Sequence, residues 1–164
     1  MKKDLFQNIE FDELDRAILR ELQKNARITN ADLARKIHLS KPAVHNRIKK
    51  LEKRGVIRRY TAELDAEMIG YDLICFLQIR TDGAQDRLNC IQEKVKSLPQ
   101  VQECHHLTGE YDILIKVVVR HRQQLETFVK EHISPLEGIQ QLQTNIVLSE
   151  CKNNGDIPLD YRNK

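Results

Sequence analysis

Residues 30–55 read NADLARKIHLSKPAVHNRIKKLEKRG. The stretch predicts a short helix, a tight turn at His38-Leu39, and a longer basic helix closed by Gly55. Asn30 is expected to cap the first helix and Ser40 the second, because both side chains can accept from unpaired N–H groups at a helix start. Pro42 falls in the first turn of the longer helix, where a missing N–H costs nothing. Val44, Ile48 and Leu51 recur at i, i+4 and i+7 and form its apolar stripe. At 100° per residue, Asn46, Lys49 and Lys53 point away from that stripe, with His45 and Lys50 on its flanks. This is the pattern of a helix-turn-helix, whose second helix enters the DNA major groove.

Near the start of that helix Lys41, His45 and Asn46 are the candidates for base edges, with Ser40 beside them in the DNA-binding set; Asn pairs bidentately with adenine and Lys donates to guanine. Lys49, Lys50, Lys53, Arg54 and Arg58 are the candidates for phosphate contacts, which position without specifying. Arg47 lies close to the apolar face and reads as structural. Residues 39–60 carry eight cations and one anion, Glu52. So many like charges on one surface repel one another unless a polyanion covers them, so double-stranded DNA is the expected partner.

Upstream, Asp12 is the expected N-cap of a first helix. Leu14, Ala17, Ile18 and Leu22 form its stripe, and it ends near Asn25. Residues 1–11 show no period and read as a loose arm. The three helices make residues 1–60 a DNA-binding domain that leaves through an extended Val56-Ile57-Arg58-Arg59-Tyr60. The charge divides at the same place. Residues 1–60 hold 16 Lys+Arg against 8 Asp+Glu, net +8; residues 61–164 hold 11 against 16, net −5, which together give the chain's +3.

Residues 61–72 read as a linker, and beyond them the period changes. LICFLQIR (73–80) is an apolar strand, and Leu88, Ile91, Val95 and Leu98 mark a helix stopped by Pro99. Residues 101–107 form a second strand, 108–111 a turn, and DILIKVVV (112–119) a third, β-branched strand. Leu125, Phe128, Val129 and Ile133 mark a second helix, residues 139–149 a last strand, and the tail 151–164 is polar and expected to fray. The order β-α-β-β-α-β over 73–150 is that of a ferredoxin-like sandwich, and the fold class is α+β. Both helices of that fold cover one sheet face. Ile74 and Phe76 on the first strand, with Leu114 and Val118 on the third, lie on the other. That face needs cover, most simply from a second copy, so a homodimer is expected.

These residues resemble the Lrp/AsnC feast/famine transcription regulators. The resemblance runs from about Leu14 to Ser149 and rests on LDRAILRELQKNARITNADLARKIHLSKPAVHNRIKKLEKRGVIRRYTAELD, on LTGEYDILIKVVV and on GIQQLQTNIVLSE. It implies a winged helix-turn-helix joined to a ferredoxin-like effector (RAM) domain, and dimers that assemble to tetramers or octamers. It also implies that the 108–112 turn binds a small effector, a free amino acid, where dimers meet. Gly109 and Asp112 match that pattern as they stand, with Thr108 and Tyr111 beside them and Thr144 as a further member. An α-amino acid needs an acceptor for its ammonium, which Asp112 can supply, and N–H donors for its carboxylate, which a glycine turn can supply. The plainer alternatives are that Gly109 is only a turn residue, Asp112 only a strand cap and Tyr111 only core.

The implied protein is a DNA-binding regulator and not an enzyme, without cofactor or metal, working in the cytoplasm on the nucleoid. The four cysteines (Cys75, Cys90, Cys104, Cys151) are scattered without a C-x-x-C pair and read as free thiols. No apolar run is long enough for a membrane span, and no apolar segment follows the N-terminal lysines as a secretory signal would require. His105 and His106 are adjacent on a predicted strand, so they face opposite ways and do not share an ion easily. Two competing readings are a siroheme-decarboxylase-like enzyme on the same architecture, using those histidines, and a nucleoid-organising protein of low sequence preference.

Overall fold

The computed structural model describes residues 11–153 and 155–159. Of the arm expected over 1–11, residues 1–10 lie outside the described residues, as do 154 and 160–164, while Phe11 packs against the apolar cluster of the helices. The chain forms two compact units, Met1–Glu63 with Asn154–Lys164, and Leu64–Asn153.

The first unit is a three-helix bundle of α1 (Glu13–Lys24), α2 (Asn30–Lys36) and α3 (Lys41–Lys53). Asp12 caps α1 by accepting from the Asp15 N–H at 2.7 Å, and Ser40 caps α3 by accepting from the Ala43 N–H at 3.4 Å. The cap of α2 is a correction to the sequence reading. Thr29, not Asn30, is its N-cap, and Asn30 is its first helical residue. Thr29 Oγ1 accepts from the Asp32 N–H at 3.1 Å and donates to Asp32 Oδ2 at 2.7 Å. Only the T-x-x-D spacing offers that reciprocal pair; three residues beyond Asn30 stands Leu33. His38, at φ 55, makes the turn into α3, and Gly55, at φ 72, ends it in the left-handed region.

Ile18, Leu19, Leu33, Ala34, Val44, Ile48 and Leu51 are the core. On α1 the buried line therefore runs through Ile18 and Leu19, while Leu14, Ala17 and Leu22 are half-buried. The tail also departs from expectation. Residues 155–159 belong to this unit, and Leu159 packs against its apolar cluster.

The second unit is a four-stranded antiparallel sheet in the order β2-β3-β1-β4. Its elements are β1 (Leu73–Thr81), α4 (Gln85–Lys96), β2 (Val101–His106), β3 (Ile113–Val119), α5 (Arg122–Phe128, running on as a π-helical segment Val129–Ile133) and β4 (Ile139–Ile146). Register sets the two faces. Cys75, Leu77 and Ile79 sit opposite Val117, Ile115 and Ile113, and all six are fully buried with Leu88, Ile91, Val95, Leu125, Phe128 and Ile133 from the helices. Each such side chain contributes roughly 1.5–3 kcal/mol by leaving water. The residues between them form the open face: Ile74, Phe76 and Leu114 half-buried, Val118 and Lys116 buried. Lys116 Nζ lies 3.5 Å from Glu150 Oε1. A bulge between Arg80 and Thr81 ends the regular pairing of β1 with β4.

Candidate functional site

The basic surface is built on α3. Burying Val44, Ile48 and Leu51 fixes its roll, so Ser40, Lys41, His45, Asn46, Lys49, Lys50, Lys53 and Arg54 are all exposed, as is Arg58 after it. His45 Nδ1 lies 3.3 Å from Asn30 Nδ2, a contact that ties the start of α3 to the start of α2. Arg47 turns the other way. Its Nη1 donates to Asp12 Oδ2 and Asp15 Oδ1, both at 2.7 Å, so it braces α3 on α1. The Asp15 N–H and the Arg47 guanidinium hold the Asp12 carboxyl below its usual range. Glu52, the one anion among residues 39–60, accepts from the Tyr60 hydroxyl at 2.9 Å. Burial and that carboxylate push the Tyr60 phenol up to about 12.

In the second unit the 108–112 turn is closed at its base, where the Leu107 N–H donates to the Asp112 carbonyl at 2.8 Å. Gly109 stands at φ 134 with open space where a Cβ would be, so the backbone alone demands glycine there. Asp112 Oδ2 accepts from the Thr81 N–H at 2.6 Å and the Thr81 hydroxyl at 2.8 Å. Those two bonds, N–H first, lower the Asp112 carboxyl below its usual range and keep it charged at neutral pH. Oδ1 takes part in neither bond. The Tyr111 hydroxyl donates to Gln143 Oε1 at 2.6 Å and accepts from Gln141 Nε2 at 3.2 Å. These glutamines are opposite Gln78 and Arg80, so Tyr111 reaches the open sheet face.

Comparison with known proteins adds the decisive observation. Residues 11–58 match the winged helix-turn-helix DNA-binding model, and residues 74–157 match the Lrp/AsnC ligand binding domain model, which alone spans more than half of the chain. The chain belongs to the Lrp/AsnC family of transcriptional regulators.

Among its relatives, the leucine-responsive regulatory protein of Rhizobium meliloti is 35% identical over 146 residues, covering 88% of this chain and 94% of the relative. The transcriptional regulator AzlB of Bacillus subtilis is 33% identical over 153 residues, covering 93% and 98%. Among solved structures, a transcriptional regulator of Neisseria meningitidis in complex with L-Met has a TM-score of 0.88 at 32% identity, covering 92% of this chain and 98% of that one. Escherichia coli AsnC has a TM-score of 0.81 at 33% identity, covering 88% and 96%. This Lrp/AsnC chain is therefore a DNA-binding transcriptional regulator with a ligand-binding domain. Among the described residues no helix is long and apolar enough to cross a membrane.

The expected effector residues divide in the structure. Thr108, Gly109, Tyr111 and Asp112 share one turn. Thr144 does not join them. Its partner on β1 is Leu77, so it faces the helix side, in a recess of about 390 Å³ beside Arg122, Glu126, Lys130 and Ser134. Sequence reading missed Thr81, which lies one residue past the expected strand end and fixes Asp112, and missed Gln141 and Gln143, which hold Tyr111. Nothing local marked Thr81, and the face taken by Gln141 and Gln143 is set only by the pairing of β4 with β1. His105 and His106 pair with Leu114 and Ile113 and so lie on opposite faces, with His105 Nε2 3.0 Å from Glu103 Oε2.

Proposed function

We propose that this Lrp/AsnC protein is a sequence-specific regulator, not an enzyme, whose DNA affinity or assembly changes when a free amino acid binds. Lys41, His45 and Asn46 meet base edges, Ser40 lies on the DNA beside them, and Lys49, Lys50, Lys53, Arg54 and Arg58 meet phosphates. The open sheet face, with Ile74, Phe76, Leu114 and Val118, pairs with a second copy, and dimers assemble further to a tetramer or octamer. Such a regulator works where the chromosome lies, in the cytoplasm on the nucleoid.

The charged Asp112, through Oδ1, takes the effector ammonium. Backbone N–H groups of the Thr108-Gly109 turn take its carboxylate, and Tyr111 walls the pocket. Thr144 lies on the other sheet face from Tyr111, so it serves a pocket only when supplied by a different copy. Occupying a boundary between copies then stabilises one assembly over another and changes how many α3 helices engage DNA together. The observation that carries this reading is the Neisseria meningitidis structure in complex with L-Met, which matches nearly the whole chain. The test is calorimetric titration of the DNA-free protein with each common amino acid. At least one is expected to bind, and Asp112→Asn to abolish binding while keeping the fold. No heat with any amino acid, or full binding by the variant, would overturn the assignment.

A further inference from the structure

The C-terminal segment is polar at first sight, yet it holds Ile157-Pro158-Leu159. Pro158 biases the residue before it to an extended backbone, so the segment is stiffened before it docks. Both backbone groups of Ile157 are taken by one side chain. The Ile157 N–H donates to Gln23 Oε1 at 2.8 Å, and Gln23 Nε2 donates to the Ile157 carbonyl at 3.2 Å. A glutamine amide offers one acceptor and two donors, so it pairs with an extended peptide as a neighbouring strand would. The Ile157 side chain is left exposed, whereas Leu159 packs on the apolar cluster of the helix bundle. The segment walls a groove of about 790 Å³ between Leu22 and Gln23 of α1 and the exit from α3 at Val56, Ile57 and Arg58.

We propose that residues 155–159 are a latch, a segment of this chain that docks on its own DNA-binding unit through Gln23 and Leu159 and stabilises it. The chain then enters the DNA-binding unit twice, before Leu64 and after Asn153. The second entry raises the effective concentration of the tail at its groove, so a short contact suffices to hold it. The latch lines the same groove as Val56, Ile57 and Arg58, the last of these one of the proposed phosphate contacts. The inference does not depend on an effector.

Amide hydrogen exchange of the full chain tests it directly. Docked, the Ile157 amide exchanges at least about tenfold more slowly than in a free peptide of residues 150–164. Gln23→Ala, at an exposed position, returns it to the peptide rate, and so does Leu159→Asp. A chain ending at Asn153 unfolds its helix bundle at a lower temperature than the full chain. Peptide-rate exchange in the unaltered protein, protection indifferent to Gln23→Ala, or an unchanged unfolding temperature would overturn the latch. Labelled unaltered chains co-refolded with excess unlabelled Gln23→Ala chains keep their protection if each tail docks on its own unit. Loss of protection in that mixture would overturn own-chain docking.

Discussion

Arg47 stands on the recognition helix yet belongs to the scaffold, and Arg47→Met separates those roles. Methionine keeps the apolar stem and removes the guanidinium, leaving Asp12 and Asp15 without their shared partner. The Asp15 side chain is 11% exposed and the Asp12 side chain 51%. A hydrogen bond to a charged group is worth roughly 1.5–3 kcal/mol, which applies to the Asp15 contact. The more exposed Asp12 pair adds about 0–1 kcal/mol. The variant should therefore lose about 1.5–4 kcal/mol in the helix bundle. At about 4–8 °C per kcal/mol for a unit of this size, that is a fall in melting temperature of about 6–30 °C. Differential scanning calorimetry at neutral pH measures it.

The pH dependence has a definite sign. The folded Asp12 carboxyl lies below its ordinary 3.8. Its contribution is fully present above that value and is lost as pH falls through the lowered folded value. The gap between the two proteins should narrow in acid by the part that Arg47 contributes through Asp12. DNA affinity measured well below the melting transition should be unchanged, because Arg47 points at α1. A variant melting within about 2 °C of the unaltered protein at neutral pH, against the 4–8 °C expected per kcal/mol, would refute the brace. A large loss of DNA affinity in the folded state would refute its scaffold role.

Asn46→Ala should cost about 1–3 kcal/mol in binding to the specific site and relax base preference at one position, read by competition with single-base variants. Lys49→Ala or Lys53→Ala should weaken all sequences alike and reduce the slope of log affinity against log salt by about 0.9 for each helix engaged. Tyr60 should remain protonated until pH approaches about 12, and Tyr60→Phe should remove the late step of an ultraviolet phenolate titration. Because that value is raised above the ordinary 10.0, the stabilisation is complete below 10.0 and fades as pH climbs toward about 12. Gly109→Val should distort the 108–112 turn through its φ of 134 and weaken effector binding, leaving effector-free DNA binding intact.

The parts legible in the sequence are those written in local periods. Val44, Ile48 and Leu51 set the face of α3, so the exposure of Lys41, Asn46 and Lys49 followed without the fold. The parity of Leu73 to Arg80 likewise divided the sheet faces before β3 and β4 were paired to it. The cap of α2 was legible too, since Thr29 and Asp32 have the reciprocal spacing, but Asn30 is an equally good cap by residue type. Contacts between distant residues were not legible. Asp112 meets Thr81 only because β1 and β3 are neighbours, and Gln23 meets Ile157 across most of the chain. Thr144 shows the limit of motif reading. Its residue type suits an amino-acid pocket, but its strand parity turns it away from Tyr111, and parity on β4 depends on pairing with β1.

The central claim is that an amino acid changes how this protein holds DNA. The direct measurement is fluorescence anisotropy of its own upstream DNA titrated with protein, repeated with each common amino acid at fixed salt. At least one amino acid should shift the affinity or the number of protomers bound per DNA, and Asp112→Asn should bind that DNA without the shift. Identical isotherms with every amino acid would contradict the account.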